Sequence, residues 1–401
     1  MPAAPTNRER RPTPWYRRPK PLAAASAAVV AVAVAVAVNL DDDPRRQPRV
    51  YAVPASIPSD CSRPVEAELQ RFLATVPDGS TIEFPPGGCY GQDDSIWVVD
   101  RHDLTFAGNG SAFKIVTTGR NTTYFRSNVR VRRGSGLTFR DLEVVGACRP
   151  DQCGNAHIPP ELDGYGQHGF NLESTADAVL DRVHVHSVLS DGVEAQGTLD
   201  PDVGWDGAPT SNLTITNSRI ERAGRMLIGI THLDGGLIAD NFIGDGPEVG
   251  IDVEVDHPGF LGRNIRILRN TFENIHAQAF ANGGLGSDPD VGNILIEGNI
   301  MSVPTDACAG SLYIRSPGPA DPPLYRSGYT VRGNHFNIVG WFLQAERVKD
   351  LVVEDNVVTF REIGCGQKAA VELIESPPAV VRGNSFTGYQ AEMSLDGRPV
   401  T

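Results

Sequence analysis

The sequence is short of positive charge and of aromatic residues. Its 401 residues include 36 Lys and Arg against 49 Asp and Glu, which gives a formal net charge of −13, and aromatic residues make up 7%. An acidic chain of this kind repels a phosphate backbone, so we expect no nucleic-acid partner. The 42 Gly and 30 Pro residues indicate a turn-rich globular protein of one large or two ordinary domains.

The sequence also lacks a C-x-x-C pair, which disfavours a metal site built on cysteines. Its six cysteines are even in number, and we interpret them as disulfide partners in an exported protein. Many pairings of six cysteines are possible, and the sequence alone does not choose among them. The candidates are Cys61 and Cys89, which flank one compact unit, Cys148 and Cys153 in one loop, and Cys308 with Cys365.

One long apolar run lies near the N-terminus. Residues 21–40 (PLAAASAAVVAVAVAVAVNL) carry no charge and have about the length that a bilayer core requires. Residues 1–20 are basic, and three aspartates follow at 41–43. This charge pattern predicts a cytoplasmic N-terminus and an outside C-terminal part. We therefore expect a transmembrane signal-anchor, preferred here over a cleaved signal, then a linker over 41–60 and a domain over 61–401 at the cell membrane or secreted.

A repeat organises the rest of the chain. The string NIRILRNTF (264–272) recurs in related form as NILIEGNIM, GYTVRGNHF, DLVVEDNVV and PAVVRGNSF. Each unit is a short alternating strand, an asparagine and another apolar position, with a spacing of about 30 residues. The asparagines in this register are Asn241, Asn270, Asn299, Asn334, Asn356 and Asn384.

These units predict a parallel coil in which each turn stacks on the previous one at about 4.8 Å. Asparagine suits the corners because it tolerates left-handed backbone and can hydrogen-bond its own kind above and below. A leucine-rich horseshoe lacks support because the L-x-x-L-x-L pattern is missing, and a propeller lacks its Trp-Asp signature. We predict an all-β protein, a right-handed parallel β-helix (solenoid) of roughly ten coils.

The start of the domain carries a family resemblance. Residues 63–90 (RPVEAELQRFLATVPDGSTIEFPPGGCY) predict an amphipathic helix over 64–76 that caps the open end of the stack, then a turn and a strand. With the following DLTFAGNGSAFK, this segment resembles pectate-lyase-like right-handed β-helix proteins over about residues 60–390. The resemblance implies the fold and not the activity, because this superfamily includes lyases, hydrolases, epimerases and non-enzymatic surface proteins.

The stretch GIDVEVDHPG (250–259) places Asp252, Glu254 and Asp256 on one face of a strand and apolar residues on the other. Aligned with the other second strands of the coil, it predicts two outward columns of side chains. The first column is Asn171, Glu194, Thr231, Asp252, Ala281 and Tyr313, and the second is Glu173, Gln196, Leu233, Glu254, Gly283 and Arg315.

This arrangement predicts a carbohydrate-active site. Asp252 and Glu254 should have Cα atoms about 6.7 Å apart, and Glu194 should lie about 9.6 Å from Asp252 along the axis. Paired carboxyl groups at about 5–9.5 Å perform acid and base chemistry on glycosidic bonds. We therefore predict Glu194, Asp252 and Glu254 as catalytic residues. The predicted substrate contacts are Arg225, Arg315, His257, His168 and Tyr313.

Several alternatives stay open. Asp252 and Glu254 could instead bind Ca²⁺, as in a calcium-dependent polysaccharide lyase. A non-catalytic surface β-helix that binds glycan or spaces another module from the membrane fits the same pattern. In each case we expect a monomer. The signatures of polygalacturonases (N-T-D, D-D, G-H-G, R-I-K) are absent in order, and the calcium site of pectate lyases is not matched. For His184 and His186, which share a strand face, a structural role is favoured over metal binding, and His232 is expected in the core.

Overall fold

A computed structural model describes residues 49–116, 127–148, 153, 167–200, 204–257, 259–284, 291–302, 310–316, 324–361 and 369–400. The predicted membrane segment (21–40) and the candidate pair Cys308 and Cys365 lie outside these ranges. Within them, no helix has the length and apolar character needed to cross a membrane.

The described residues form short strands and one helix, α1 (Glu66–Leu73). The first twelve strands are β1 (Arg49–Ala52), β2 (Asp60–Pro64), β3 (Ser80–Glu83), β4 (Cys89–Gln92), β5 (Ile96–Val99), β6 (Thr105–Ile115), β7 (Val129–Arg132), β8 (Thr138–Val145), β9 (Phe170–Glu173), β10 (Val179–Asp181), β11 (His184–Val188) and β12 (Val193–Gln196). The next twelve are β13 (Thr198–Asp200), β14 (Gly204–Asp206), β15 (Thr210–Thr216), β16 (Arg219–Ala223), β17 (Ile228–Ile230), β18 (Leu233–Ala239), β19 (Phe242–Gly246), β20 (Ile251–Val253), β21 (Gly262–Leu268), β22 (Thr271–Ile275), β23 (Phe280–Asn282) and β24 (Val291–Glu297). The last twelve are β25 (Ile300–Ser302), β26 (Leu312–Arg315), β27 (Arg326–Arg332), β28 (His335–Ile338), β29 (Leu343–Glu346), β30 (Val348–Glu354), β31 (Val357–Phe360), β32 (Ala369–Ile374), β33 (Val380–Arg382), β34 (Ser385–Thr387), β35 (Ala391–Leu395) and β36 (Arg398–Val400).

The strands form a coil with three faces. Two faces meet in one sheet of 22 strands because β6 and β8 run through the corner between them. The third face is a separate sheet of 12 strands, from β5 to β36, which ends in the antiparallel pair β35–β36. Strands β13 and β14 form a small antiparallel sheet of their own. The strands of the coil otherwise pair in parallel with the strand one turn further along the chain, as in β18 with β21 and β21 with β24. The predicted parallel β-helix of about ten coils is therefore confirmed.

Alternating sequence produces the continuous core. On the acidic rung, Ile251, Val253 and Val255 are fully buried, as the alternation predicts. Aromatic rings fill the N-terminal coils, where the rings of Phe106 and Phe139 stack with centroids 4.5 Å apart. One apolar cluster runs from Val53 to Leu373 through the coil interior.

The asparagine ladder is confirmed in its hydrogen bonds. The side-chain amide of Asn270 donates to Asn299 Oδ1 at 3.1 Å and to the backbone oxygen of Ile238 at 2.9 Å, and the same pattern repeats from Asn241 to Asn384. One detail of the prediction is wrong. The left-handed backbone falls on the residue before each asparagine, such as Asp240 (φ 60°) and Arg269 (φ 52°). The asparagine itself is held in place because its backbone NH donates to the side-chain oxygen of the next asparagine.

The N-terminal cap is also present, in shorter form than predicted. Helix α1 buries Leu69 and Leu73 against the first coils, and its first turn is acidic. The side chain of Gln70 bonds both backbone groups of Trp97, which fixes the helix on β5.

Two disulfides cross-link the described residues of the N-terminal half. Cys61 bonds Cys89, and Cys148 bonds Cys153, as two of the candidate pairs predicted. The first links β2 to β4 at the capped end of the stack.

Candidate active site

The acidic groups lie on the outer surface of the 12-stranded sheet. Strand pairing places Glu194 opposite Gly229 and Gly229 opposite Asp252, so the two acids are two rungs apart in one column, as predicted. The prediction of Thr231 between them is wrong. Ile228 and Ile230 are both buried, so Gly229 is the outward residue of β17, and Thr231 comes after the strand ends.

Gly229 leaves a gap in the column that Glu194 fills. A Cβ atom at position 229 would lie 2.2 Å from Glu194 Oε2, so only glycine permits this position of the carboxyl group. Thr231 Oγ1 donates a hydrogen bond to Glu194 Oε1, whereas Oε2 is buried without a hydrogen-bond partner among the described residues. Burial, together with the negative charge of Asp191, raises the pKa of Glu194 to about 8.

Asp252 lies on the far side of the gap. The residue is 6% exposed, and its Oδ1 is likewise buried without a partner among the described residues. Burial and then the neighbouring charge of Glu254 raise the pKa of Asp252 to about 8, against the opposing effect of Arg225. Near neutral pH the column therefore holds two carboxylic acids that retain their protons.

A third carboxyl group, that of Asp191, binds the guanidinium group of Arg225. Arg225 donates from Nε and Nη2 to the two oxygens of Asp191, each at 2.9 Å, and the backbone NH of Met226 donates to Oδ1 at 3.0 Å. His168 Nδ1 lies 3.1 Å from Asp191 Oδ2. Burial alone would raise the pKa of Asp191, but Arg225 and His168 outweigh it and hold that pKa below its ordinary range.

Glu254 faces solvent beside this cation. Its side chain is 38% exposed, and its Oε2 lies 3.7 Å from Arg225 Nη1. Partial burial raises the pKa of Glu254, and Arg225 opposes that rise. Because Glu254 is more exposed than Asp252, it is the carboxyl group of this rung that solvent reaches first.

Small and apolar residues border the acids. Met226, Val249 and Ala281 form a separate cluster outside the main core. A Cβ atom at Gly283 would meet open space, so the rung beyond Asp252 is shallow, as the sequence predicted. Such a surface, apolar on one side and acidic on the other, suits the faces and hydroxyl groups of a sugar.

Two of the five predicted substrate contacts lie in the acidic cluster, and the other three lie outside it. His168 and Arg225 join the acidic cluster through Asp191. Tyr313 lies in the Asp252 column two rungs further on, opposite Ala281, and is half-buried. Arg315 shares its strand but pairs with Glu346 at 3.1 Å, and the ring of His257 packs on Phe260 with centroids 5.2 Å apart.

The sequence reading missed Asp191 and Gly229. Asp191 precedes Gly192 at the corner before β12, and only the coil brings it beside Arg225 from the next turn. The stretch SDGVE (190–194) holds two acids three residues apart, which is the signal that could have found it. Glu173, predicted in the second outward column, is instead buried between Arg130 and Arg132.

The acidic cluster already contains its counter-ion. His168, Asp191 and Glu194 offer ligand atoms within 4.8 Å of one another. However, the guanidinium of Arg225 occupies both oxygens of Asp191, so a metal cation there would have to displace a charge-assisted bidentate pair. A calcium ion on Asp252 and Glu254 stays a prediction, with Glu254 as the accessible ligand.

No protein-family model and no curated protein matches the sequence. Solved structures do match its fold. A family 28 exopolygalacturonase of Yersinia enterocolitica has a TM-score of 0.63 and 11% identity, over 88% of this chain and 80% of that chain. An endo-xylogalacturonan hydrolase of Aspergillus tubingensis has a TM-score of 0.58 and 15% identity, over 86% and 93%. PfbA, a surface adhesin of Streptococcus pneumoniae, has a TM-score of 0.55 and 13% identity, over 84% and 89%.

These similarities concern the fold of the protein. It is the right-handed parallel β-helix seen in pectate-lyase-like proteins, so the predicted fold and its hand are confirmed. At this level of identity the neighbours establish the fold alone. The activity has to be argued from the acidic column.

Proposed function

We propose that this protein is an exported glycoside hydrolase that cleaves a polysaccharide at the acidic column. The observation that supports it most is the pair of buried carboxyl groups around Gly229, each with an oxygen that has no partner among the described residues. Structural carboxylates elsewhere on the coil differ. A hydrogen bond from Arg269, for example, lowers the pKa of Asp240. Buried acids that keep their protons are typical of catalytic sites.

In this proposal Asp252 is the general acid and Glu254 the general base. Asp252 gives its proton to the glycosidic oxygen while the bond from that oxygen to the anomeric carbon breaks. Glu254 takes a proton from a water molecule whose oxygen bonds to the anomeric carbon from the other side. Two strand rises separate their Cα atoms by about 6.7 Å. From there, side-chain rotation can set the two carboxyl groups at the separation of about 6.5–9.5 Å that inverting enzymes use.

The other residues set the charges of the site. Glu194, whose raised pKa keeps it protonated, fills the gap at Gly229 and places an uncharged carboxyl group between Asp191 and Asp252. Arg225, which Asp191 holds in place, lies next to Glu254. Its positive charge therefore favours the ionised form of Glu254 more than that of Asp252. The concentration of acids favours a neutral polymer, or a uronate polymer bridged by Ca²⁺, over an unscreened polyanion.

The test is a cleavage assay with the full-length chain. Neutral and uronate polysaccharides are incubated with and without Ca²⁺, and both new reducing ends and unsaturated products are measured. We expect reducing ends without unsaturated products from the wild type and none from Asp252→Asn or Glu254→Gln. Asp350→Asn, the same exchange at an exposed position on another face, is the control and should stay active. Calcium-dependent unsaturated products would replace this proposal with a lyase.

A second candidate is a glycan-binding surface protein without catalysis. It is favoured by the likeness to the pneumococcal adhesin, which shares the fold over most of both chains. In that case the wild type and Asp252→Asn would bind the same polysaccharide with equal affinity, and neither would release reducing ends.

Export is part of the proposal. The basic stretch at 1–20 and the uncharged apolar run at 21–40 favour a membrane anchor with the β-helix outside. The disulfides Cys61–Cys89 and Cys148–Cys153 fit an oxidising compartment. External protease should therefore degrade the β-helix on intact cells, and protection of the whole chain would contradict export.

A further inference from the structure

A second cluster of titratable side chains lies away from the acidic column, on the 22-stranded sheet. His184 and His186 project from the same face of β11. Strand pairing sets His184 opposite Glu143 of β8 and His186 opposite Glu221 of β16. Three successive turns of the coil thus contribute two imidazoles and two carboxylates to one patch.

The side chains reach across the patch diagonally. His186 Nε2 lies 2.9 Å from Glu143 Oε1, and His184 Nε2 lies 3.0 Å from Glu221 Oε1. Glu143 Oε1 is also 3.9 Å from His184 Nδ1, so one carboxylate oxygen approaches both rings. The ring centroids are 4.4 Å apart. One ligand atom from each of Glu143, His184 and His186 lies within 4.8 Å of the others.

We propose that Glu143, His184 and His186 bind one Zn²⁺ ion, with a water molecule as the fourth ligand, and that the ion links two successive coils. Two imidazole nitrogens and a carboxylate oxygen are a ligand set that zinc prefers, at about 2.0–2.2 Å in a tetrahedral arrangement. Ca²⁺ and Mg²⁺ prefer oxygen ligands alone, so the patch selects against them. Small rotations of the rings bring the ligand atoms from hydrogen-bond distance of each other to a common centre.

The surroundings of His186 support a ligand role. Its Nδ1 lies 3.0 Å from Ser187 Oγ, an acceptor for the ring proton when Nε2 binds a metal. The backbone of Ser187 is fixed in turn, because its carbonyl oxygen accepts from the NH of Cys148 at 2.8 Å, next to the Cys148–Cys153 disulfide. Arg222 Nη2, now 3.1 Å from the same Nδ1, has to turn away when zinc binds.

The site is also open to solution. The side chains of His184 and Glu143 are 36% and 40% exposed, whereas that of His186 is 11% exposed. A metal ion can therefore enter from the side of His184 and Glu143 and reach His186, which packing already holds in place. Hydrogen-bonded His–Glu pairs without a metal are the alternative explanation of the patch.

The experiment is a zinc titration of the full-length chain after removal of metal with a chelator. Calorimetry and displacement of a colorimetric zinc indicator should show one zinc ion bound per chain, and zinc should raise the melting temperature. Ca²⁺ and Mg²⁺ should leave the melting temperature unchanged. We expect His184→Ala and Glu143→Gln to weaken zinc binding at least tenfold. His335→Ala, another strand histidine on the outer surface, is the matched control and should bind zinc as the wild type does.

Several results would overturn the proposal. Absence of saturable zinc binding by the wild type is one, and it needs no variant to fold. Equal zinc binding by His184→Ala and His335→Ala is another, because the ion would then lie elsewhere. A rise in melting temperature with Ca²⁺ equal to that with Zn²⁺ would indicate an oxygen-only site. Since the patch and the acidic column lie on different sheets, none of these results depends on polysaccharide cleavage.

Discussion

The proton on Asp252 makes a quantitative prediction about stability. Its ordinary pKa is 3.8, and in the folded chain burial raises it to about 8. Between these values the folded state binds one proton more than the unfolded state at this group. Stability therefore falls as pH rises through this window, by about 1.4 kcal/mol per pH unit and per group. The loss ends above the folded pKa, where both states are ionised.

Asp252→Asn removes this proton without changing the shape of the side chain. The wild type should lose about 2–3 kcal/mol of unfolding free energy relative to the variant between about pH 5.5 and about pH 7.5. The groups whose charges act on Asp252 remain in both proteins, namely Glu254, Arg225, Asp191 and Asp256. The difference between the two proteins thus reports the single titration.

Equilibrium unfolding in guanidinium chloride at the two pH values measures this difference. Asp350→Asn, the same exchange at an exposed position, controls for the exchange itself. If the stabilities of wild type and Asp252→Asn run parallel over the two pH units, Asp252 is ionised in the folded chain. The acid role proposed for it would then fail.

Three further predictions concern the gap at Gly229, the asparagine ladder and the Cys61–Cys89 disulfide. Gly229→Ala should displace the carboxyl group of Glu194 and reduce cleavage at least tenfold, whereas Gly283→Ala, where a Cβ meets open space, should retain it in the same reducing-end assay. Asn270→Leu should destabilise the chain by about 3 kcal/mol in guanidinium unfolding, because the backbone NH of Asn241 and the carbonyl oxygen of Ile238 lose their partner and stay buried. An unchanged midpoint would contradict the role of the ladder. Replacement of both Cys61 and Cys89 by serine should cost about 3–4 kcal/mol in thermal unfolding, from the loop of 28 residues that the bridge closes, and an unchanged melting temperature would show that the N-terminal end contributes little to the fold.

The fold could be predicted from the sequence because its signals are local and repeated. Alternation in GIDVEVD fixes which side chains enter the core, and the recurring asparagine marks the same corner in successive turns. Every turn repeats the same packing problem, so one pattern predicts the whole stack. The capping helix could be predicted for the same reason, from apolar positions Leu69 and Leu73 four residues apart.

The register of one short rung could not be predicted. From the sequence, Thr231 was predicted in the column of acids, a register that would put Gly229 at the corner. In the structure the corner position is taken by Leu227, whose carbonyl bonds Val193, and Ile228 and Ile230 face the core. A three-residue strand carries too little alternation to fix its own register against its neighbours.

What the sequence determined by itself was the coil, the ladder and the presence of Glu194, Asp252 and Glu254 on one surface. What only the tertiary structure decided was their electrostatics. The acids were expected on a solvated face, yet Glu194 and Asp252 are almost fully buried, and Arg225 reaches Asp191 from the next turn. Desolvation and the distance to a counter-charge set a pKa, and both depend on residues far apart in sequence that stacking of the coils brings together.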